Sequence, residues 1–258
     1  MKSKAEIVGN WLPRYTGVAA DQLGSFVLLT NFGGYLDRFC EMMGTTAADL
    51  DRPMPTATAD GISMINFGMG SPNAATVMDL LTAARPTAVL FLGKCGGVKK
   101  KNQIGDLILP IAAIRGEGTS NDYLPPEVPA LPAFQLQRVV STMIRVLGHD
   151  YWTGTVFTTN RRVWEHDDAF KEYLRKTRAM AVDMESATIF AAGFANQIPT
   201  GALLLVSDQP RIPEGVKTEM SDRGVTASYV DDHITIGVEA LRLLRRQGRS
   251  VKHLHFDE

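Results

Sequence analysis

Short apolar segments that stop at glycines and hand over to helix-period stretches constrain this chain more than any other feature. Phe26-Val-Leu-Leu-Thr30 is apolar enough for burial on both faces, breaks at Asn31-Phe-Gly-Gly34, and leads into a helical stretch over residues 35–43. The grammar repeats with Ile62-Ser-Met-Ile-Asn-Phe67, the turn Gly68-Met-Gly-Ser-Pro72, and a helix over residues 73–84 with Pro72 near its first turn. A third strand over 87–92 runs into Gly93-Lys-Cys-Gly-Gly97, read as a third glycine turn, and a fourth over 106–114 is bent at Pro110. Residues 116–132, rich in Pro, Gly, Ser and Asn, read as a long surface loop. Helices are expected over 134–147, 167–176, 185–196 and 225–246, and strands over 151–158, 179–182 and 200–207.

Strands that are apolar on both faces and alternate with helices form α/β sheets covered on both sides. The expected fold class is therefore α/β, a single domain over residues 25–248, with residues 1–24 as an N-terminal extension and 249–258 as a flexible tail. In such sheets ligands bind outside the carboxyl ends of the strands, where the glycine turns lie.

Composition removes several function classes. Twenty-seven Lys plus Arg against 28 Asp plus Glu give a formal charge of −1, so no global field favours nucleic acid or an anionic membrane. The apolar runs are far shorter than the roughly 20 residues that span a bilayer, and the first residues lack a hydrophobic signal core. Cys40 and Cys95 are too few for a disulfide framework and fit a reducing compartment, so the expected location is the cytoplasm. The histidines have no partners at ligand spacing, which leaves no metal site, and no cofactor is expected: neither the dinucleotide fingerprint nor a phosphate-binding P-loop pattern occurs.

The chemistry-bearing residues gather at the turns. Glycine lets backbone N–H groups of the turns at Gly33, Gly70 and Ser71 approach a phosphate or sugar, and Lys94 places a cation beside them. Arg38, Arg161 and Arg162 add positive charge without any excess over the whole chain. Asp183-Met-Glu185 stands at a strand-to-helix junction, and Asp208 ends the last apolar strand, where a half-buried carboxyl can hold a proton near neutral pH.

Taken together, Gly68-Met-Gly-Ser-Pro-Asn73, Gly93-Lys-Cys-Gly-Gly-Val98 followed by Ile104-Gly-Asp-Leu107, Val182-Asp-Met-Glu-Ser-Ala187 and Val206-Ser-Asp208 resemble the nucleoside phosphorylase and nucleosidase superfamily over residues 25–245. The resemblance implies a three-layer nucleoside phosphorylase-like fold with a mixed, partly barrel-like sheet. Leu28-Leu-Thr-Asn-Phe-Gly-Gly-Tyr-Leu-Asp-Arg-Phe39, Arg115-Gly-Glu-Gly-Thr-Ser120 and Asp183-Met-Glu-Ser-Ala-Thr188 look most like the branch that splits AMP into adenine and ribose 5-phosphate. Breaking a purine N-glycosidic bond requires a proton donor at N7 and a clamp on the sugar. By resemblance, Asp208 is the acid and base contact, Glu185 and Met184 hold the ribose, and Phe157 with Thr158 packs on the base. Lys94, Arg38 and Arg161, with Gly33, Gly70 and Ser71, are the candidates for the 5′-phosphate.

The sequence also departs from the pattern. The first turn lacks the water-activating glutamate of nucleosidases that act on unphosphorylated substrates, and Phe91 and Lys94 occupy the positions of an arginine and a serine that bind free phosphate in hexameric phosphorylases. Hydrolysis is thus expected over phosphorolysis, with a purine nucleoside phosphorylase or a nucleosidase for another adenine nucleoside as the alternative. The resemblance suggests a homohexamer. Long members carry an N-terminal regulatory domain, and with residues 1–24 alone ahead of the first strand, allosteric control by ATP or phosphate is not carried over.

Overall fold

The computed structural model describes residues 2–212, 215, 216 and 218–248; the expected tail over 249–258 lies outside them. The strands β1 (Phe26–Thr30), β2 (Thr56–Ala59), β3 (Ile62–Asn66), β4 (Ala88–Gly97), β5 (Leu107–Gly116), β6 (Trp152–Thr159), β7 (Ala181–Asp183) and β8 (Thr200–Asp208) form one mixed sheet in the order β2-β3-β1-β4-β7-β6-β5-β8. Because β8 also pairs with β4, strands β4, β7, β6, β5 and β8 close into a barrel. The central strands β1, β4 and β8 run parallel to one another, and β1 and β4 are buried at every residue, which is why they read as unbroken apolar runs.

The helices α1 (Lys4–Thr16), α2 (Gly33–Met43), α3 (Ser71–Leu80), α4 (Phe134–Val146), α5 (Asp168–Thr177), α6 (Ser186–Ala195) and α7 (Glu219–Gln247) cover both faces. One core gathers Tyr35 and Phe39 of α2, Leu136 and Val140 of α4, and Ile234 and Leu241 of α7 against β1, β4 and β8. The opposite core holds Leu12 of α1, Val77 of α3 and Phe190 of α6. The result is the expected single-domain α/β/α arrangement. Among the described residues no helix is long and apolar enough to cross a membrane.

Three local expectations need correction. Residues 93–97 form no turn: they continue β4, and their glycines serve close packing, since a Cβ at Gly96 would lie 2.8 Å from Pro210 Cγ and one at Gly97 2.8 Å from Asn102 Cβ. Residues 4–16 form a helix, capped by Ser3 in a reciprocal pair with Glu6, with Ile7, Val8, Trp11, Leu12 and Tyr15 at helical spacing along it. The stretch over 116–132 is a pinned loop rather than a loose one. The Arg115 guanidinium donates to Ser120 Oγ (2.8 Å), to Asn121 Oδ1 (3.0 Å) and to the carbonyls of Leu124 (2.8 Å), Pro125 (2.5 Å) and Val128 (2.8 Å). At Pro110, the bend expected in β5 coincides with a register shift against β6.

Candidate active site

At the carboxyl ends of β1, β4, β6, β7 and β8 lies a cleft, open to solvent, with a volume of about 100 Å³. Its wall includes Asn31, Lys94, Thr159, Arg161, Asp183, Glu185 and Asp208. Asp208 owes its place to a break in strand register: Cys95 pairs with Val206 but Gly96 pairs with Asp208, so Ser207 is an extra residue in β8. Such a bulge bends the strand and re-aims the side chain that follows it. Asp208 is half-buried, and its Oδ1 accepts a hydrogen bond from Ser207 Oγ at 2.7 Å.

Glu185 caps the start of α6 and is 2% exposed. Its Oε1 accepts from Gly70 N–H (2.8 Å) and its Oε2 from Met184 N–H (3.2 Å). Burial, reinforced by the charge of Asp183, raises its pKa to about 8, against the pull of these donors. Asp183 is likewise pushed upward by burial, although Thr158 Oγ1 (2.7 Å) and Ser186 N–H (2.8 Å) donate to it. Ser71 Oγ donates to the Met184 carbonyl at 2.6 Å, so the glycine turn before α3 locks the Asp183–Glu185 segment in place. The half-buried Asp208 and the buried pair Asp183 and Glu185, with different surroundings, therefore share one cleft.

Thr158 belongs to this lock rather than to a base pocket. Besides donating to Asp183, its Oγ1 accepts from Ala187 N–H at 3.0 Å, and it is buried. Thr158→Val keeps the shape but orphans both partners, so denaturant unfolding is expected to show a loss of about 1–3 kcal/mol. An unchanged midpoint would contradict the lock.

The phosphate candidates separate sharply. Lys94 is buried in the cleft wall, where its Nζ donates to Thr226 Oγ1 of α7 at 2.8 Å and stands 4.7 Å from the ring centre of Phe32 and 6.0 Å from that of Tyr35. Tyr35 is fixed in turn by His233. The Leu203 carbonyl, 2.9 Å away, can only accept, so Nε2 carries the proton and Nδ1 accepts from Tyr35 Oη at 2.9 Å. Burial, with the nearby Lys94 charge, holds His233 neutral with a pKa of about 4. Arg161 and Arg162 also line the cleft, in local pairs with Asp167 (2.9 Å) and Glu165 (3.4 Å).

Other expected positions lie elsewhere. Arg38 is not part of the cleft wall: its guanidinium pairs with Asp231 of α7, Nε to Oδ1 at 2.8 Å, and with Glu41. Gly33 opens α2 outside the wall, while Gly70 and Ser71 spend their N–H and hydroxyl on Glu185 and Met184. Phe157 also departs from the base-packing expectation. It faces a separate apolar cluster with Val98, Trp164, Leu174, Ala179 and Val182, edge-on to Phe170. Thr159, Trp164 and Val182 form that side of the cleft instead. Phe91 is fully buried, edge-on to Phe67, far from any role as an ion ligand.

Residues 26–242 match the phosphorylase superfamily. The chain belongs to that superfamily. It is 31% identical to the AMP nucleosidase of Escherichia coli (strain K12) over 92% of its own length, and spans 58% of the length of that relative. A solved structure of AMP nucleosidase from Bacteroides thetaiotaomicron is 52% identical, with a TM-score of 0.86 over 95% of this chain and 99% of that one. Uridine phosphorylase of Treponema pallidum is 27% identical over 72% of this chain and 74% of its own. For this phosphorylase-superfamily chain, the glycine turns after β1 and β3 marked strand ends and residues 93–97 did not, and Thr159, Trp164 and Met69 of the wall were not among the expected site residues. Thr159 was within reach: it lies two residues beyond Phe157 on β6, so strand alternation puts both on one side, with the later residue nearer the carboxyl end.

Proposed function

We propose that this protein hydrolyses the N-glycosidic bond of AMP, releasing adenine and ribose 5-phosphate in purine nucleotide salvage or catabolism. The observation that carries the reading is the sharing of one cleft by the separately held carboxyl groups of Asp208 and Glu185 and the cations Lys94, Arg161 and Arg162, a set that suits a sugar phosphate with a departing base. The 52% identity to an AMP nucleosidase over nearly the whole of both chains supports it.

In this reading Asp208 protonates N7 as the glycosidic bond breaks, which lets adenine leave without a full negative charge. Glu185, held by Gly70 and Met184, grips the ribose hydroxyls, and Met184 underlies the sugar. Lys94 stands on the phosphate side, with Arg161 or Arg162 as its helper. Water attacks C1′ and supplies the new hydroxyl, so ribose 5-phosphate formed in ¹⁸O-labelled water carries the label at C1. Lys94→Met keeps the buried volume while removing the charge. It is expected to raise KM for AMP about tenfold or more and to leave KM for adenosine nearly unchanged, since a charged hydrogen bond is worth about 1.5–3 kcal/mol. An equal effect on both substrates would remove Lys94 from the phosphate site.

The second reading is a phosphorylase, favoured by the uridine phosphorylase relative and by the same cations, which could hold an attacking phosphate ion. Under it, turnover requires free phosphate and the product is a sugar 1-phosphate. The two free cysteines, Cys40 and Cys95, support a cytoplasmic location. Exposed Ile111 of β5, with Leu131 and Phe134 following the Ala113–Ala130 bridge, supports assembly into a homo-oligomer, a hexamer by the resemblance; the mass in solution tests this.

A further inference from the structure

Asn31 directly follows β1 and forms part of the cleft wall beside Glu185. Its side chain hydrogen-bonds the Glu185 carboxyl group. Asn31 Oδ1 takes no part in that bond, so the amide Nδ2 is the donor and the Glu185 carboxyl oxygen the acceptor. Asn31 Oδ1 is buried and has no hydrogen-bond partner among the described residues. The neighbouring backbone donors are committed elsewhere: Gly70 and Met184 N–H to Glu185, Gly68 N–H to Asn66 Oδ1 (3.3 Å), and Phe32 N–H to Thr30 Oγ1 (3.4 Å). A buried acceptor left without a donor is costly, and such groups in native proteins call for a specific explanation.

A donor from the ligand fits this unfilled acceptor. We propose that Asn31 Oδ1 accepts a hydrogen bond from one of the ribose hydroxyls, making Asn31 a second sugar-reading residue next to Glu185; this rests on the nucleotide reading above. Through one amide, Asn31 then steadies the carboxylate that grips the sugar and selects for ribose itself. A sugar lacking that hydroxyl leaves Oδ1 still unpaired, the situation in which a polar site discriminates most strongly.

The test compares kcat/KM for AMP, 2′-deoxy-AMP and 3′-deoxy-AMP in wild type, Asn31→Ala and Asn31→Ser, with thermal melts to confirm folding. The wild type is expected to disfavour the analogue that lacks the accepted hydroxyl. Both variants should lose about tenfold on AMP and much less on that analogue, so that its discrimination collapses. A uniform loss on all three substrates, as from a loosened Glu185, would overturn the proposal, and so would rates within twofold of wild type. If the wild type leaves AMP intact, the nucleotide reading fails by itself. The same comparison then runs with adenosine and its 2′- and 3′-deoxy analogues plus phosphate, where the sugar-reading role stands or falls on the same ratio.

Discussion

Asp208→Asn is expected to lower kcat for AMP by about 10²–10⁴-fold while KM stays close to wild type, the usual scale for loss of a positioned general acid. The variant is close to a pure removal of the proton. Asparagine matches aspartate in size, keeps an oxygen to accept from Ser207 Oγ, and follows the same bulge between β4 and β8. What it lacks is a proton to give to N7, so the departing base must leave as an anion. Steady-state kinetics with AMP decide the matter. A kcat within a few-fold of wild type would remove Asp208 from the acid role, and a rise in KM with unchanged kcat would make it a binding group only.

Glu185→Gln should separate activity from stability. At pH 8.5, where Glu185 is ionised to grip the ribose and glutamine cannot follow, kcat/KM for AMP is expected to fall by about two orders of magnitude or more, on the scale of truncated hydrogen-bonded charges in buried sites. The folded protein, by contrast, should gain. Glu185 has a folded pKa of about 8 against an ordinary value of 4.5, so between those pH values the unfolded chain ionises there while the folded chain retains its proton. The folded state then binds more protons, and stability from this group falls as pH rises through that window. Below about pH 4.5 both states are protonated and the penalty is absent; above about pH 8 it is complete and constant. Glutamine resembles the protonated acid and never ionises, so the variant should melt several degrees above wild type near pH 8.5, with the gap closing toward pH 5. A gap independent of pH, or a variant less stable at pH 8.5, would show that burial and Asp183 do not load this carboxylate as described.

How much of this was legible in the sequence follows from the kind of signal each part leaves. Strands β1, β3, β4, β6 and β8 are buried at nearly every residue around their carboxyl ends, and burial writes itself as apolar runs. The carboxyl ends of those strands therefore located the cleft, and Asp208, Glu185, Met184, Lys94 and Arg161 all line it. What failed is information carried by tertiary contact. The glycines of residues 93–97 look like a turn, yet they are small because Pro210 and Asn102 press on β4. Arg38 has the composition of a phosphate ligand, but its partner Asp231 lies on α7, far along the chain. Phe157 and Thr158 illustrate strand parity and hydrogen-bond competition: one is drawn into an apolar cluster under α5, the other is consumed by Asp183 and Ala187. Strand β2 was invisible for a simpler reason, since a four-residue Thr-Ala strand carries almost no periodicity, whereas helix α1 has a readable signal in Ile7, Val8, Trp11, Leu12 and Tyr15 that the reading of residues 1–24 as an extension passed over.

The central claim is that the cleft cleaves AMP with water. Its most direct test is to incubate the protein with AMP in phosphate-free buffer and to separate the products by chromatography. Adenine and ribose 5-phosphate appearing in equal amounts, at a rate unchanged by added phosphate, is the predicted result. No release from AMP, with turnover of a nucleoside once phosphate is added, would contradict it and make the protein a phosphorylase.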